Sequence, residues 1–158
     1  MSLLPPAVDP ATLPPKSVSA YPEPYRSRVL PREKRALGDA CGLTKVGVNL
    51  TTLLPGKESS MRHWHTHEDE FVFVIAGEVV LRTNAGEQVL KAGECAGFPA
   101  AREDGHQFIN RSDQPVRYLE VSNRDAQDMA HYADAAVDLV WNAPHHPGKF
   151  CHRDGTPY

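Results

Sequence analysis

Apolar and polar residues alternate with a period of two along the middle of the chain. Val46, Val48 and Leu50 share one face of a predicted strand, which Pro55-Gly56 ends. Turn residues such as Gly, Asn and Asp separate seven further predicted strands, near 61–66, 70–76, 78–83, 87–91, 95–98, 105–110 and 115–123. Because these eight strands follow one another without a helical period between them, the pattern predicts an all-β sandwich or small barrel with antiparallel strands.

The two ends of the chain have different patterns. Residues 1–24 contain seven of the 14 prolines, which cannot donate backbone hydrogen bonds, so we predict an extended N-terminal arm that packs on the barrel. After the last strand, only residues 125–132 have a helical pattern, and the rest of the segment to Tyr158 is predicted to be loop. The chain therefore divides into an arm at 1–42, a barrel at 43–123 and a tail at 124–158.

A run of basic side chains lies near the end of the arm. Its members are Arg26, Arg28, Arg32, Lys34 and Arg35. A short run of like charges usually forms a solvated surface, and we interpret this one in that way; an anion site is the alternative.

Composition limits the classes of function. The 158 residues suffice for one domain, and 41% hydrophobic with 23% charged residues is ordinary for a soluble globular protein. A net charge of -3 provides no field that would attract nucleic acid. We find no apolar run of bilayer length and no signal-peptide pattern, and we expect a cytoplasmic protein without a membrane partner. The three cysteines, Cys41, Cys95 and Cys151, are too few and too far apart for a disulfide framework or a zinc knuckle.

Three of the eight histidines lie within the five residues 63–67 of a chain whose composition is otherwise ordinary. His63 and His65 are two residues apart, so they project to the same face of a strand. A four-residue turn brings Glu70 to the start of the next strand, and His106 lies on a later strand. Three imidazoles and one carboxylate suit a divalent transition metal such as iron, manganese, nickel, zinc or copper, and we expect one ion per chain.

Other histidines leave alternatives open. His67 shares the strand parity of His63 and His65, so a triplet of His65, His67 and Glu70 is an alternative ligand set, although a position in the turn favours a rim or solvent role. The tail histidines His131, His145, His146 and His152 are expected at the surface. Trp64 alternates with the ligands, which predicts a core or interface residue.

These motifs resemble those of the cupins. The first cupin motif is matched by Gly56, His63-Trp64-His65, Glu70 and Gly77, with one extra residue before the histidines. The second is matched by Gly93, Pro99, His106 and Asn110, with two extra residues between Pro99 and His106 and with the glycine displaced to Gly105. The resemblance implies a double-stranded β-helix, or jelly-roll barrel, with His63, His65, Glu70 and His106 on the metal.

A narrower resemblance concerns function. Some small single-domain cupins with His-Trp-His before Glu-Asp-Glu-Phe, as here, carry a sugar-phosphate-isomerase-like label, whereas Val72 stands where cupin lyases of dimethylsulfoniopropionate have a tyrosine. We expect a metalloenzyme that isomerises or oxygenates a small oxygenated molecule; the alternative is a protein that binds a small ligand at the metal without turnover. Acid–base candidates are His67, Glu68, Asp69, Gln107 and Tyr118, with no role assigned.

The predicted strand at 70–76 also suggests a partner. Glu70, Val72 and Val74 would face the interior, which leaves Phe71, Phe73 and Ile75 facing outward. An exposed aromatic stripe needs a cover, so we expect a homodimer, with the proline-rich arm as the alternative cover.

Overall fold

The strands of the barrel arise where the alternating pattern predicts them. The computed structural model describes residues 4–142 and 150–158. The predicted barrel region contains β2 (Val46–Leu53), β3 (His63–His65), β4 (Glu70–Ala76), β5 (Glu78–Thr83), β6 (Gly86–Lys91), β7 (Cys95–Phe98), β8 (Gln107–Ile109) and β9 (Val116–Asn123). The predicted all-β, antiparallel jelly-roll fold is confirmed.

Each end of the chain adds further elements. The N-terminal segment contains a 3-10 helix (Pro10–Thr12), α1 (Tyr25–Val29), β1 (Arg32–Ala36) and α2 (Leu37–Ala40). The C-terminal segment contains β10 (Met129–Tyr132), β11 (Val140–Asn142) and β12 (Phe150–Cys151). None of the helices in the described ranges is long and apolar enough to cross a membrane.

Three antiparallel sheets form the molecule. The largest has the order β1-β2-β9-β4-β7, the second β12-β11-β10-β3 and the third β6-β5-β8. An isolated bridge between His63 and His106 connects β3 to the residue that precedes β8. The second sheet therefore joins the barrel through the strand that carries two of the candidate ligands.

The helix predicted at 125–132 is wrong. Residues 129–132 form strand β10, in which Ala130 pairs with His65 and Tyr132 pairs with His63. Ala130 and Tyr132 are buried while their neighbours are partly exposed, which is the period of a strand. The loop expected for the rest of the tail holds for residues 133–139 and 152–158 but is wrong at the short strands β11 and β12, which extend this sheet. Long-range pairing overrides the local helical preference.

Two hydrophobic clusters stabilise these sheets. Inside the barrel, Leu53, Val74, Val116 and Tyr118 are among the fully buried residues. The second cluster joins the two ends of the chain, because it consists of Tyr21, Tyr25, Val29, Met61, Tyr132, Val137, Leu139 and Phe150. The N-terminal segment is thus part of the folded unit and packs against β10 and β12.

Phe71, Phe73 and Ile75 lie on the outer face of β4, as their alternation predicts. They are 37–42% exposed in the single chain. A homodimer that covers this face stays a prediction.

Candidate metal centre

The four candidate ligands converge on one point inside the barrel. His63 and His65 project from the same face of β3, and Glu70 is the first residue of β4. The Nε2 atoms of His106, His65 and His63 lie 2.9, 3.4 and 3.9 Å from the same Glu70 oxygen, Oε2. The structure therefore brings together all four residues that the sequence singled out.

The backbone fixes His106 against β3. His63 and His106 exchange both backbone hydrogen bonds, at 3.1 and 2.8 Å. Gly105 lets the chain pass close to the tail, since a Cβ at this position would lie 2.6 Å from the Cβ of Ala133. The His106 ring stacks on Phe98, with ring centroids 3.7 Å apart. A larger residue than Gly105 would therefore clash with Ala133 at the position directly before the candidate ligand His106.

The donor atoms of His63, Glu70 and His106 all lie within 4.8 Å of one another, as the ligands of a single ion do, whereas His65 is grouped with Glu68 and Asp128. Two ligand atoms at about 2.1 Å from one ion, at right angles to each other, are about 3.0 Å apart. The shortest distance from an imidazole to Glu70 Oε2, 2.9 Å from His106 Nε2, is close to this value. Glu70 Oε2 is also buried without a well-oriented hydrogen-bond partner among the described residues. A buried carboxylate oxygen surrounded by three Nε2 atoms fits an ion.

Hydrogen bonds orient two of the imidazoles. His63 Nδ1 lies 2.9 Å from the carbonyl oxygen of Met61, so Nδ1 carries the proton and donates it. His65 Nδ1 lies 2.6 Å from Asp128 Oδ2 and donates to the carboxylate in the same way. Both contacts leave the lone pair on Nε2, the atom that faces Glu70.

The electrostatics of the site favour a neutral imidazole beside a charged carboxylate. Burial lowers the pKa of His63 to about 3, which keeps this imidazole neutral at neutral pH. Burial alone would raise the pKa of Glu70, but the imidazole of His106, 2.9 Å from its Oε2, and the nearby His63 and His65 bring the pKa well below its usual value. Burial alone would lower the pKa of His65, but its hydrogen bond to Asp128 raises it overall.

Asp128 is the residue that the sequence reasoning missed. Besides His65, its carboxylate accepts hydrogen bonds from the backbone N–H groups of His67 and Glu68, at 2.9 and 3.2 Å. Burial alone would raise the pKa of Asp128, but these hydrogen bonds lower it to about 2. The sequence pattern places Asp128 in the predicted helix at 125–132. Only the pairing of β10 with β3 brings its side chain beside His65.

His67 does not join the four residues. Its imidazole is exposed in the turn before β4, where Nδ1 lies 2.8 Å from Thr66 Oγ1. Within the described residues, two groups have the spacing of metal ligands: His63, Glu70 and His106, and also His65, Glu68 and Asp128. The alternative triplet of His65, His67 and Glu70 is not assembled.

The remaining histidines have other surroundings. His131 stacks on Trp64, with ring centroids 4.5 Å apart, and His152 Nδ1 lies 2.8 Å from Asp138 Oδ2. His145 and His146 lie outside the described residues.

Two cavities border the four residues. The first has a volume of about 330 Å³ and is lined by three of the candidate ligands, His65, Glu70 and His106. Its lining also includes Trp64, Glu68, Gln88, Arg102 and Asp104. The second, of about 210 Å³, contacts His63, Glu70 and His106. A molecule in either cavity would therefore reach an ion at this position.

The acid–base candidates differ in their access to these cavities. Glu68 lines the first cavity, where burial raises the pKa of its carboxyl. Tyr118 is fully buried, and the Gln107 amide donates to Glu58 and to the Ser60 carbonyl. His67 and Asp69 are exposed and line a separate surface pocket.

Comparison with known proteins places the chain in a family. A model of the Cupin domain matches residues 49–122, which include all four candidate ligands. The tetracenomycin polyketide synthase protein TcmJ of Streptomyces glaucescens is 30% identical over 111 residues, which are 66% of this chain and 72% of TcmJ. The chain belongs to the cupin superfamily.

Solved structures resemble this cupin over longer stretches. A cupin-superfamily sugar phosphate isomerase from Silicibacter pomeroyi is 38% identical, with a TM-score of 0.88 over 97% of this chain and 96% of its own. A protein from Acidithiobacillus ferrooxidans, for which the same activity has been suggested, is 31% identical, with a TM-score of 0.66 over 72% of each chain. The resemblance to cupins labelled as sugar phosphate isomerases is confirmed.

Proposed function

We propose that this cupin is a metal-dependent enzyme that isomerises a small oxygenated molecule. His63, His65, Glu70 and His106 would hold one divalent transition metal ion per chain. The observation that carries the proposal is the convergence of three Nε2 atoms within 3.9 Å of a single buried oxygen of Glu70. Structural zinc sites in proteins take four ligands and no substrate, whereas this set adjoins two cavities that a substrate could enter.

The chemistry follows from the charge of the donor set. Three neutral imidazoles and one carboxylate would leave a bound divalent ion with a net charge of about +1, and such an ion would supply a Lewis acid that polarises a carbonyl group of the substrate. The residues of the chain hold the geometry: Met61 and Asp128 fix the ring orientations of His63 and His65. Phe98 covers one face of His106 and keeps water from it.

One of the relatives reported above favours isomerisation over oxygenation as the reaction. That Silicibacter pomeroyi protein bears the name of a sugar phosphate isomerase and matches 97% of this chain. A vicinal arrangement of carbonyl and hydroxyl oxygens, as in a sugar or a hydroxy acid, is also the substrate chemistry that two open coordination positions would select.

The test begins with the metal content of protein purified under nitrogen. Iron-, zinc-, manganese- and nickel-loaded forms are then incubated with aldoses, ketoses, and hydroxy and keto acids, and isomer formation under nitrogen is compared with oxygen uptake in air. Turnover without oxygen supports the proposal, and oxygen consumption with iron alone would replace isomerase by oxygenase. Metal-dependent binding with neither reaction would favour the ligand-binding alternative. A protein that takes up none of the metals in excess at neutral pH would reject the metal site.

A further inference from the structure

Strand β1 brings two residues of the basic run into the barrel. Arg32 pairs with Leu53 and Lys34 pairs with Thr51, and both of these partners on β2 are fully buried. Since alternate residues of a strand share a face, Arg32 and Lys34 point to the interior side of the sheet. The interpretation of the run as a solvated surface is wrong for these two residues.

Both side chains line the second cavity, beside the candidate metal ligands. Tyr21, Ser59 and Ser60 line it as well, so most of its polar groups are hydrogen-bond donors. Arg32 donates from Nη1 to the carbonyl oxygen of Ser59, but its Nε is buried without a partner in the described part of the chain. The hydrogen bond to Ser59 holds the guanidinium beside the cavity, whereas this Nε atom is closed off from it.

The charges of the second cavity would become positive when an ion is bound. Lys34 Nζ lies 2.6 Å from Glu120 Oε2, and Glu120 also lines the cavity. The charges of Arg32 and Lys34 balance those of Glu120 and Glu70, so a divalent ion on the four ligands would leave a net charge of about +2. An anionic group here would therefore be attracted from two sides and could accept hydrogen bonds from Arg32 and Lys34.

We propose that the second cavity is a subsite for the carboxylate or phosphate group of the substrate, bound by Arg32 and Lys34 while other substrate oxygens reach the metal. This inference rests on the proposed function, because it assigns a binding site to the end of the substrate that does not bind the metal. In the sheet register Glu70 faces Ser122, and Glu120 is two residues further along β9. Two residues of strand span about 7 Å, so the anionic group would lie on the order of four or five bonds from the metal-bound oxygens.

Two matched pairs of probes test the subsite by calorimetry on the zinc-loaded protein. The carboxylate pair is 2-oxoglutarate and 2-oxovalerate, and the phosphate pair is ribose 5-phosphate and ribose. A charge-assisted hydrogen bond predicts that, in at least one pair, the probe with an anionic group at its far end (the anionic probe) binds about 10- to 100-fold more tightly than the other. The other probe is called neutral because its far end is uncharged, although 2-oxovalerate keeps its C1 carboxylate. The pair that shows the difference identifies the preferred anion.

Substitutions then assign the difference to the two cations. Lys34→Met and Arg32→Met are expected to remove most of the preference for the anionic probe and to leave binding of the neutral probe and of zinc unchanged. Arg117→Met is the matched control, because Arg117 is an exposed cation in the same sheet, next to the inward-facing Val116 and Tyr118. If Arg32→Met does not fold, Arg32→Lys and Lys34→Met carry the test.

Equal binding of charged and neutral probes would overturn the subsite, as would an equal loss of preference in Arg117→Met. Failure of the proposed function looks different, because zinc would not be retained and neutral probes would not bind. In that event inorganic phosphate is titrated into the metal-free protein. Binding that Lys34→Met abolishes would support the anion site on its own, and absence of binding would overturn it.

Discussion

Asp128→Asn changes one atom of the carboxylate that faces His65 and keeps its size. In the native protein one oxygen accepts from the backbone N–H groups of His67 and Glu68, and the other accepts from His65 Nδ1 at 2.6 Å. The asparagine oxygen is expected to keep the backbone hydrogen bonds, which turns the amide NH2 toward His65. Nδ1 must then accept a hydrogen bond, and the proton moves to Nε2, the atom that faces Glu70.

The magnitude follows from these contacts. Exchange of a buried, charge-assisted hydrogen bond for a neutral one costs about 1–1.5 kcal/mol of the free energy of unfolding, which for this chain length lowers the melting temperature by on the order of 2–6 °C. Metal affinity is expected to fall about 10- to 100-fold, because loss of the partner that orients a ligating imidazole has this effect. Thermal unfolding of the metal-free protein and competitive titration with a zinc chelator measure the two quantities.

A second histidine–aspartate pair provides the control. Asp138 Oδ2 lies 2.8 Å from His152 Nδ1, far from the four ligands in sequence and partly exposed. Asp138→Asn is expected to leave zinc affinity unchanged. The reasoning is refuted if Asp128→Asn binds zinc as tightly as the native protein, or if Asp138→Asn weakens binding to the same extent.

Three further predictions follow. His106→Ala is expected to abolish stoichiometric metal binding, whereas His67→Ala retains it; elemental analysis showing the reverse would refute the ligand assignment. Burial raises the pKa of Tyr118 well above its usual value, so the folded state keeps a proton that the unfolded state releases near pH 10; stability is expected to fall above that pH, and less steeply in Tyr118→Phe, by denaturant unfolding. Light scattering is expected to show a homodimer that Phe73→Asp dissociates, and a native monomer at tens of micromolar would contradict this.

The sequence was sufficient for features that depend on local alternation. The period of two located the barrel strands, and the spacing of His63, His65 and Glu70 placed three donors on one interior face. Asp128 and Lys34 could not be found in this way, because their roles arise from strand pairing across long stretches of chain. The pairing of β10 with β3 joins residues more than 60 positions apart, and Lys34 reaches Glu120 across 86 positions.

The same long-range pairing separates, along the chain, the candidate ligands from the residues that surround them. Residues 49–122 match the Cupin domain and contain the four candidate ligands, whereas Arg32 and Lys34 precede this stretch and Asp128 follows it. Mutations in the two ends can alter the charge of the second cavity or the tautomer of His65 while the ligand set stays constant. Under the proposed function, a change in the terminal segments would alter the substrate of this cupin while its barrel and candidate ligands stay the same. A classification based on the barrel alone would then group it with cupins that act on different molecules.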